Sequence, residues 1–191
     1  YDKNIFINNK DFGESRITIK NTSMVNLSRK DSIRASKESN IIRDALRTFS
    51  TKYKSNLNFS NPVEGIISSR YGKKRYINES PRSPHLALDI AAPEGTKIIA
   101  PEEGKVILVG DFFYSGNYLI LDHGYGLLSS YSHLSKINVS INQLIEKGEK
   151  IGEIGSTGRV TGPHLHWSVY LDKTRINPES IIKDNFLESI L

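Results

Sequence analysis

The 191-residue chain contains no cysteine. That excludes disulfides, thiolate metal sites and cysteine nucleophiles. A bound metal would have to draw its ligands from His, Asp or Glu. Long hydrophobic runs are also missing, since nothing approaches the roughly 20 apolar residues of a membrane span. Tyr1-Asp2-Lys3-Asn4 is not followed by the apolar core of a signal peptide, so an export leader, if there is one, is expected upstream. No basic stretch is interleaved with aromatics, which argues against a nucleic-acid groove.

Charge is present but unevenly placed. Residues 1–60 hold 12 Lys/Arg against 6 Asp/Glu, and residues 61–191 hold 14 against 15. The basic N-terminal third is either a solvated face or a surface for an anionic partner. Residues 4–20 alternate around a polar turn, with Ile5, Ile7, Ile17 and Ile19 as apolar positions, and predict a β-hairpin. Over residues 30–54 the period changes. Asp31 or Ser32 is the expected cap of a helix carrying Ile33, Ile41, Ile42, Leu46 and Phe49 on one stripe. A polar, proline-containing stretch up to Pro62 reads as a linker, which divides the chain into an α+β region, 1–58, and a second unit, 59–191. From residue 63 onward, short apolar runs alternate with Gly, Pro or Asn, as in an antiparallel, mainly β domain.

The five histidines carry the chemical argument. In Gly162-Pro163-His164-Leu165-His166-Trp167-Ser168-Val169 a turn leads into a strand. Alternation then places His164, His166 and Ser168 on one face, with Leu165, Trp167 and Val169 on the other, toward a core. Gly155, Gly158 and Gly162 in the preceding loop would let backbone approach a ligand closely. In His85-Leu86-Ala87-Leu88-Asp89, a His and an Asp share a face with only a small residue between them. Tyr131 and His133 share a face in a third segment. Either of the last two motifs alone is weak, and His123, in Asp122-His123-Gly124, reads as structural. Together they offer two neutral donors and one anion for a metal, plus spare histidines for proton transfer. That composition suits an open catalytic site better than a saturated structural one. Arg159, in the glycine-rich loop, offers a planar fork for a substrate carboxylate, and Tyr131 is a second candidate for lining the groove.

At His85-x-x-x-Asp89, Tyr131-Ser132-His133-Leu134-Ser135 and Gly162-Pro163-His164-Leu165-His166 the chain resembles the lysostaphin-type (LytM-like) zinc metalloendopeptidases. Gly148–Gly158 is also similar, and the resemblance covers roughly residues 60–180. It implies a compact antiparallel sheet with a groove, with zinc bound by His85, Asp89 and His166. It also implies that His164 and His133 are the catalytic histidines, and that the substrate is the stem peptides of bacterial peptidoglycan. Ala87 stands where the family usually has glycine, a departure that touches no ligand. Residues 78–85, 110–117 and 157–164 are similar to the Gram-negative envelope branch. That branch implies a periplasmic or cell-envelope location, hydrolysis of the D-alanyl–diaminopimelate cross-link and room for a regulatory envelope protein as partner. A glycyl-glycine endopeptidase is the alternative within the family. A peptidoglycan-binding activator of another hydrolase is the alternative outside catalysis.

Overall fold

Two-residue alternation in the central strands decides which side chains fill the core. The computed structural model describes residues 9–20, 22–51 and 58–182. In chain order it contains β1 (Glu14–Ile17), α1 (Arg29–Ala45), β2 (Ile66–Ser69), β3 (Lys74–Ile77), β4 (Ser80–Arg82), β5 (Leu88–Ala91) and β6 (Lys97–Ile99). There follow β7 (Gly104–Phe112), β8 (Gly116–Asp122), β9 (Leu127–Ile137), β10 (Leu144–Ile145), β11 (Lys150–Ile154), β12 (Leu165–Leu171), β13 (Thr174–Ile176) and α2 (Glu179–Ile182). The large sheet runs β10-β7-β8-β9-β12-β5-β2, with β11 joining β9 to β6 and β13 pairing with β12. All of its pairings are antiparallel, so the expected mainly β, antiparallel architecture is the one observed.

Leu119 and Leu121 of β8, Tyr131 of β9, and Leu165, Trp167 and Val169 of β12 enter one buried cluster. Tyr118 and Ile120 of β8, Leu128 of β9 and Tyr170 of β12 enter a second, on the opposite face. Each large apolar side chain so buried contributes on the order of 1.5–3 kcal/mol relative to exposure. Phe59 is buried in the first cluster, 6.5 Å from the Trp167 ring.

In the N-terminal region the expected helix is present with shifted bounds, and only the second arm of the expected hairpin falls within the described residues. Ile5 and Ile7 lie outside the described residues. The expected second arm, β1, runs parallel to β3, with Glu14 opposite Lys74 and Ile17 opposite Ile77. With β4 these strands make a separate three-stranded sheet. Helix α1 starts one turn earlier than expected. Ser28 is the cap: its Oγ accepts from the Asp31 amide at 3.1 Å and donates to the Asp31 carboxylate at 2.7 Å. Of the expected stripe, Ile42 and Leu46 pack against the second cluster, beside Ala45, while Ile33, Ile41 and Phe49 are exposed. The Glu38 carboxylate accepts from the Phe113 amide at 2.6 Å and ties the helix to the end of the β7–β8 hairpin. None of the helices among the described residues is long and apolar enough to cross a membrane.

Candidate metal centre and active site

Three donor atoms converge where β5 and β12 pair. His166 lies directly opposite Asp89 in that register. His166 Nδ1 is 2.7 Å from Asp89 Oδ1, His85 Nε2 is 3.0 Å from the same oxygen, and the two ring nitrogens are 3.3 Å apart. His85 precedes β5 rather than lying on it. Its amide donates to the Lys73 carbonyl at 2.8 Å, and its carbonyl accepts from Gly72 at 2.7 Å. His85 Nδ1 lies 3.1 Å from the Arg70 carbonyl, which can only accept. The proton therefore sits on Nδ1, and the Nε2 lone pair faces Asp89 and His166.

The electrostatics suit a cation. Burial alone would raise the Asp89 pKa, but the hydrogen bonds and charges of His166 and then His85 outweigh it and hold the carboxyl well below the usual carboxylate range. Burial lowers the His166 pKa against the pull of Asp89, which favours the neutral imidazole that a metal requires. Two neutral nitrogens and one anionic oxygen, close enough to share one ion, are a zinc-type donor set that leaves a position open. Among the described residues, the group draws no His, Asp or Glu ligand from the N-terminal region.

Two further histidines flank this triad. The His133 ring centroid lies 4.9 Å from that of His164 and 5.9 Å from that of His166. His133 Nδ1 is 2.9 Å from the Thr157 carbonyl, and His164 Nδ1 is 2.9 Å from the Gly162 carbonyl. Both rings thus carry the proton on Nδ1 and keep the Nε2 lone pair free. Burial, followed by the neighbouring His166 and His164, pushes the His133 pKa down to about 3.

His133 reaches the groove by breaking the strand's alternation. Its φ is +68°, in the left-handed region, and its amide donates to the Ser115 carbonyl at 2.8 Å. Before it Tyr131 faces the core, and after it Leu134 does, so the parity of β9 changes at this residue. Tyr131 and His133 therefore do not share a face, contrary to what strand alternation predicts. Tyr131 is fully buried opposite Trp167, with its hydroxyl 2.8 Å from Ser129 Oγ. A side chain with no exposure contacts no substrate, so Tyr131 is a packing residue.

Two of the three loop glycines serve packing rather than ligand approach. A Cβ on Gly155 would fall 2.2 Å from the Ser135 amide nitrogen, and one on Gly158 would fall 2.4 Å from the Gly116 nitrogen. These glycines let the loop pack on β9 and on the β7–β8 turn, while Gly162 alone faces open space. That packing positions Arg159, whose amide donates to the Tyr114 carbonyl at 2.9 Å and whose guanidinium lies 4.3 Å over the Tyr114 ring. His123 is buried, with Nδ1 2.6 Å from the Glu103 carbonyl and Nε2 2.7 Å from Ser129 Oγ, and takes no part in the groove.

A cleft of about 360 Å³ exposes Asp89, His133, His164 and His166, with Arg159 on its wall and Ser15 and Ile17 of β1 at its rim. Arg75 also lines it, 3.7 Å from the second Asp89 oxygen. Arg75 carries no signal in the sequence, because nothing in Lys73-Lys74-Arg75 separates it from a solvated basic patch.

A carboxylate–dihistidine triad at the edge of an antiparallel groove, with two more histidines facing it, defines a metallohydrolase type of site. The model of peptidase family M23 matches residues 83–178, and the chain belongs to that family. It is 45% identical over 104 residues to the peptidoglycan DD-endopeptidase ShyB of Vibrio cholerae, covering 54% of this chain and 24% of ShyB. Among solved structures, a Pseudomonas aeruginosa chain described as peptidase M23 superposes with a TM-score of 0.71 at 42% identity, over 81% of this chain and 63% of that one. A zinc-containing peptidase from Vibrio cholerae gives a TM-score of 0.61 at 36% identity, over 67% and 40% of the two chains. The chain spans between 24% and 35% of the length of the first curated relatives it matches.

Proposed function

We propose that this chain is a zinc endopeptidase unit that hydrolyses peptide cross-links of peptidoglycan in the periplasm or cell envelope, at the D-alanyl–diaminopimelate bond. The convergence of His85 Nε2, Asp89 Oδ1 and His166 Nδ1 beneath two histidines with free Nε2 lone pairs carries the reading. Similarity to ShyB, a peptidoglycan DD-endopeptidase, supports the substrate class. Zinc held by the triad would polarise the scissile carbonyl and acidify a water.

The protein's own groups do the rest. His85 and His166 bind as neutral imidazoles, and Asp89 supplies the single negative charge, leaving net charge on the centre. The carbonyls of Arg70, Thr157 and Gly162 fix the tautomers of His85, His133 and His164, so no rotation is needed before a proton moves. His133 and His164 are the proton acceptors within reach of an attacking water, since no glutamate stands in the triad. Once protonated at Nε2, either ring becomes the donor for the departing amine.

The test is release of soluble muropeptides from purified sacculi by the zinc-loaded chain. Release should stop on chelation and return on adding zinc. A zinc-loaded, folded chain that binds sacculi and releases nothing would instead identify an activator module.

A further inference from the structure

A second cavity, of about 300 Å³, adjoins the triad, with His85 and His166 in its wall. Arg75, Arg82, Arg159 and Arg175 also line it, and no carboxylate does. The four arginines come from β3, β4, the loop before β12, and β13. Arg75 and Arg82 stand directly opposite each other across β3 and β4, a like-charge pairing that a sheet ordinarily avoids. Among the described residues, Arg82, Arg159 and Arg175 have no ion-pair partner. Arg75 has only Asp89, which is already shared between two histidines, and its Nε is buried without a hydrogen-bond partner.

Two of the guanidiniums are held from behind. Arg159 lies over Tyr114 at 4.3 Å. Arg175 lies over Tyr170 at 5.2 Å, and its Nε donates to the Tyr170 hydroxyl at 3.2 Å. The rings fix the flat faces and leave N–H edges for an acceptor. Burial disfavours the charged form of Arg159, with Tyr114 opposing the shift and the nearby Arg75 and Arg82 adding to it.

We infer that this cavity is a carboxylate-binding subsite for the free carboxylate next to the scissile amide nitrogen of the peptide substrate. The inference rests on the endopeptidase reading above. In a D-alanyl–diaminopimelate bond, the carbon bearing the scissile nitrogen also bears a free carboxylate. That carboxylate sits a few bonds from the triad, which is where the arginines are. A glycyl-glycine bridge has no such group. Arg159 and Arg75 are the inner ligands, and Arg82 and Arg175 form the exposed rim.

Two cross-linked peptides distinguish the outcomes, identical except that this carboxylate is free in one and amidated in the other. Their Kd values for the zinc-loaded chain are measured together with kcat/KM. The free acid is expected to bind about 10–100-fold tighter, the range of a charge-assisted bidentate contact. Arg159→Gln should collapse the preference to within about twofold, and Arg159→Lys should restore only part of it. Arg82→Gln and Arg175→Gln, at exposed positions, provide variants that avoid the metal site and should lower the preference severalfold. Equal affinity of the two peptides for the unaltered chain would overturn the subsite, whatever the turnover. Inorganic phosphate binding as tightly as the free-acid peptide, with amidation making no difference, would overturn it as well. Preferential binding of the free acid without hydrolysis of either peptide would leave the subsite standing and remove the endopeptidase reading.

Discussion

One face of β7, β8, β9 and β12 is used in two ways along its length. At one end Phe112, Tyr118, Ile120, Leu128 and Tyr170 make an apolar patch covered by Ile42, Ala45 and Leu46 from helix α1. At the other end the same face carries Ser130, Ser132, His133, His166 and Ser168, lining open clefts. The first end is stabilised by removing apolar area from water. The second keeps polar groups in fixed orientations through backbone carbonyls, and an antiparallel sheet supplies the rigidity for both. The difference shows that the polar constellation at the second end needs only a change of residue type along a continuous strand, plus one left-handed residue, His133.

Substitutions at the two ends should therefore separate chemistry from stability. The largest effect is expected from His166→Ala or Asp89→Ala. Zinc stoichiometry should fall to near zero and peptidoglycan hydrolysis by about 10³-fold or more, with the circular dichroism of the metal-free protein unchanged. His164→Ala should retain zinc while turnover drops roughly 10²–10⁴-fold, the range for a lost general acid–base group. Loss of metal in that variant would mean that the ligand and proton roles of His164 and His166 had been exchanged. At the covered end, Leu128→Ala should cost about 2–5 kcal/mol in urea unfolding and leave zinc affinity within a fewfold. A large loss of zinc in that variant would show that the two ends are not independent.

The core face provides a pH test. Burial pushes His123 down to about 4, against about 6.5 in an unfolded chain. The unfolded chain then binds the extra proton first as pH falls. This contribution is therefore complete above pH about 6.5, and it is lost toward pH 4 by at most roughly 3 kcal/mol. A series of urea midpoints across that window should decline, and a flat series would contradict the burial argument. The smallest effect is expected from Ser28→Ala, which removes the cap of α1 for about 1 kcal/mol and leaves the candidate metal site untouched.

Much of this was legible in the residues. Strand alternation alone separates Leu165, Trp167 and Val169 from His166 and Ser168, because β12 is regular. Alternation misled at Tyr131, since the backbone turn at His133 is a tertiary feature, fixed by a hydrogen bond to Ser115 that no local pattern announces. Propensity likewise indicated a helix in the N-terminal third but not its buried side. Ile33 and Ile41 are as apolar as Ile42, and only the position of the second cluster selects among them. Strand β1 finds its partner 60 residues away, in parallel, a non-local choice outside the reach of a periodicity argument. The arginine cavity was invisible for the same reason, since its four members are scattered from residue 75 to residue 175.

The most direct test uses a purified D-alanyl–diaminopimelate cross-linked dimer and mass spectrometry of the products. The zinc-loaded chain should convert the dimer into its two monomers with addition of one water, and chelated protein should leave it intact. A folded chain carrying stoichiometric zinc that leaves the dimer whole, or cuts it at another bond, would contradict the proposed reaction.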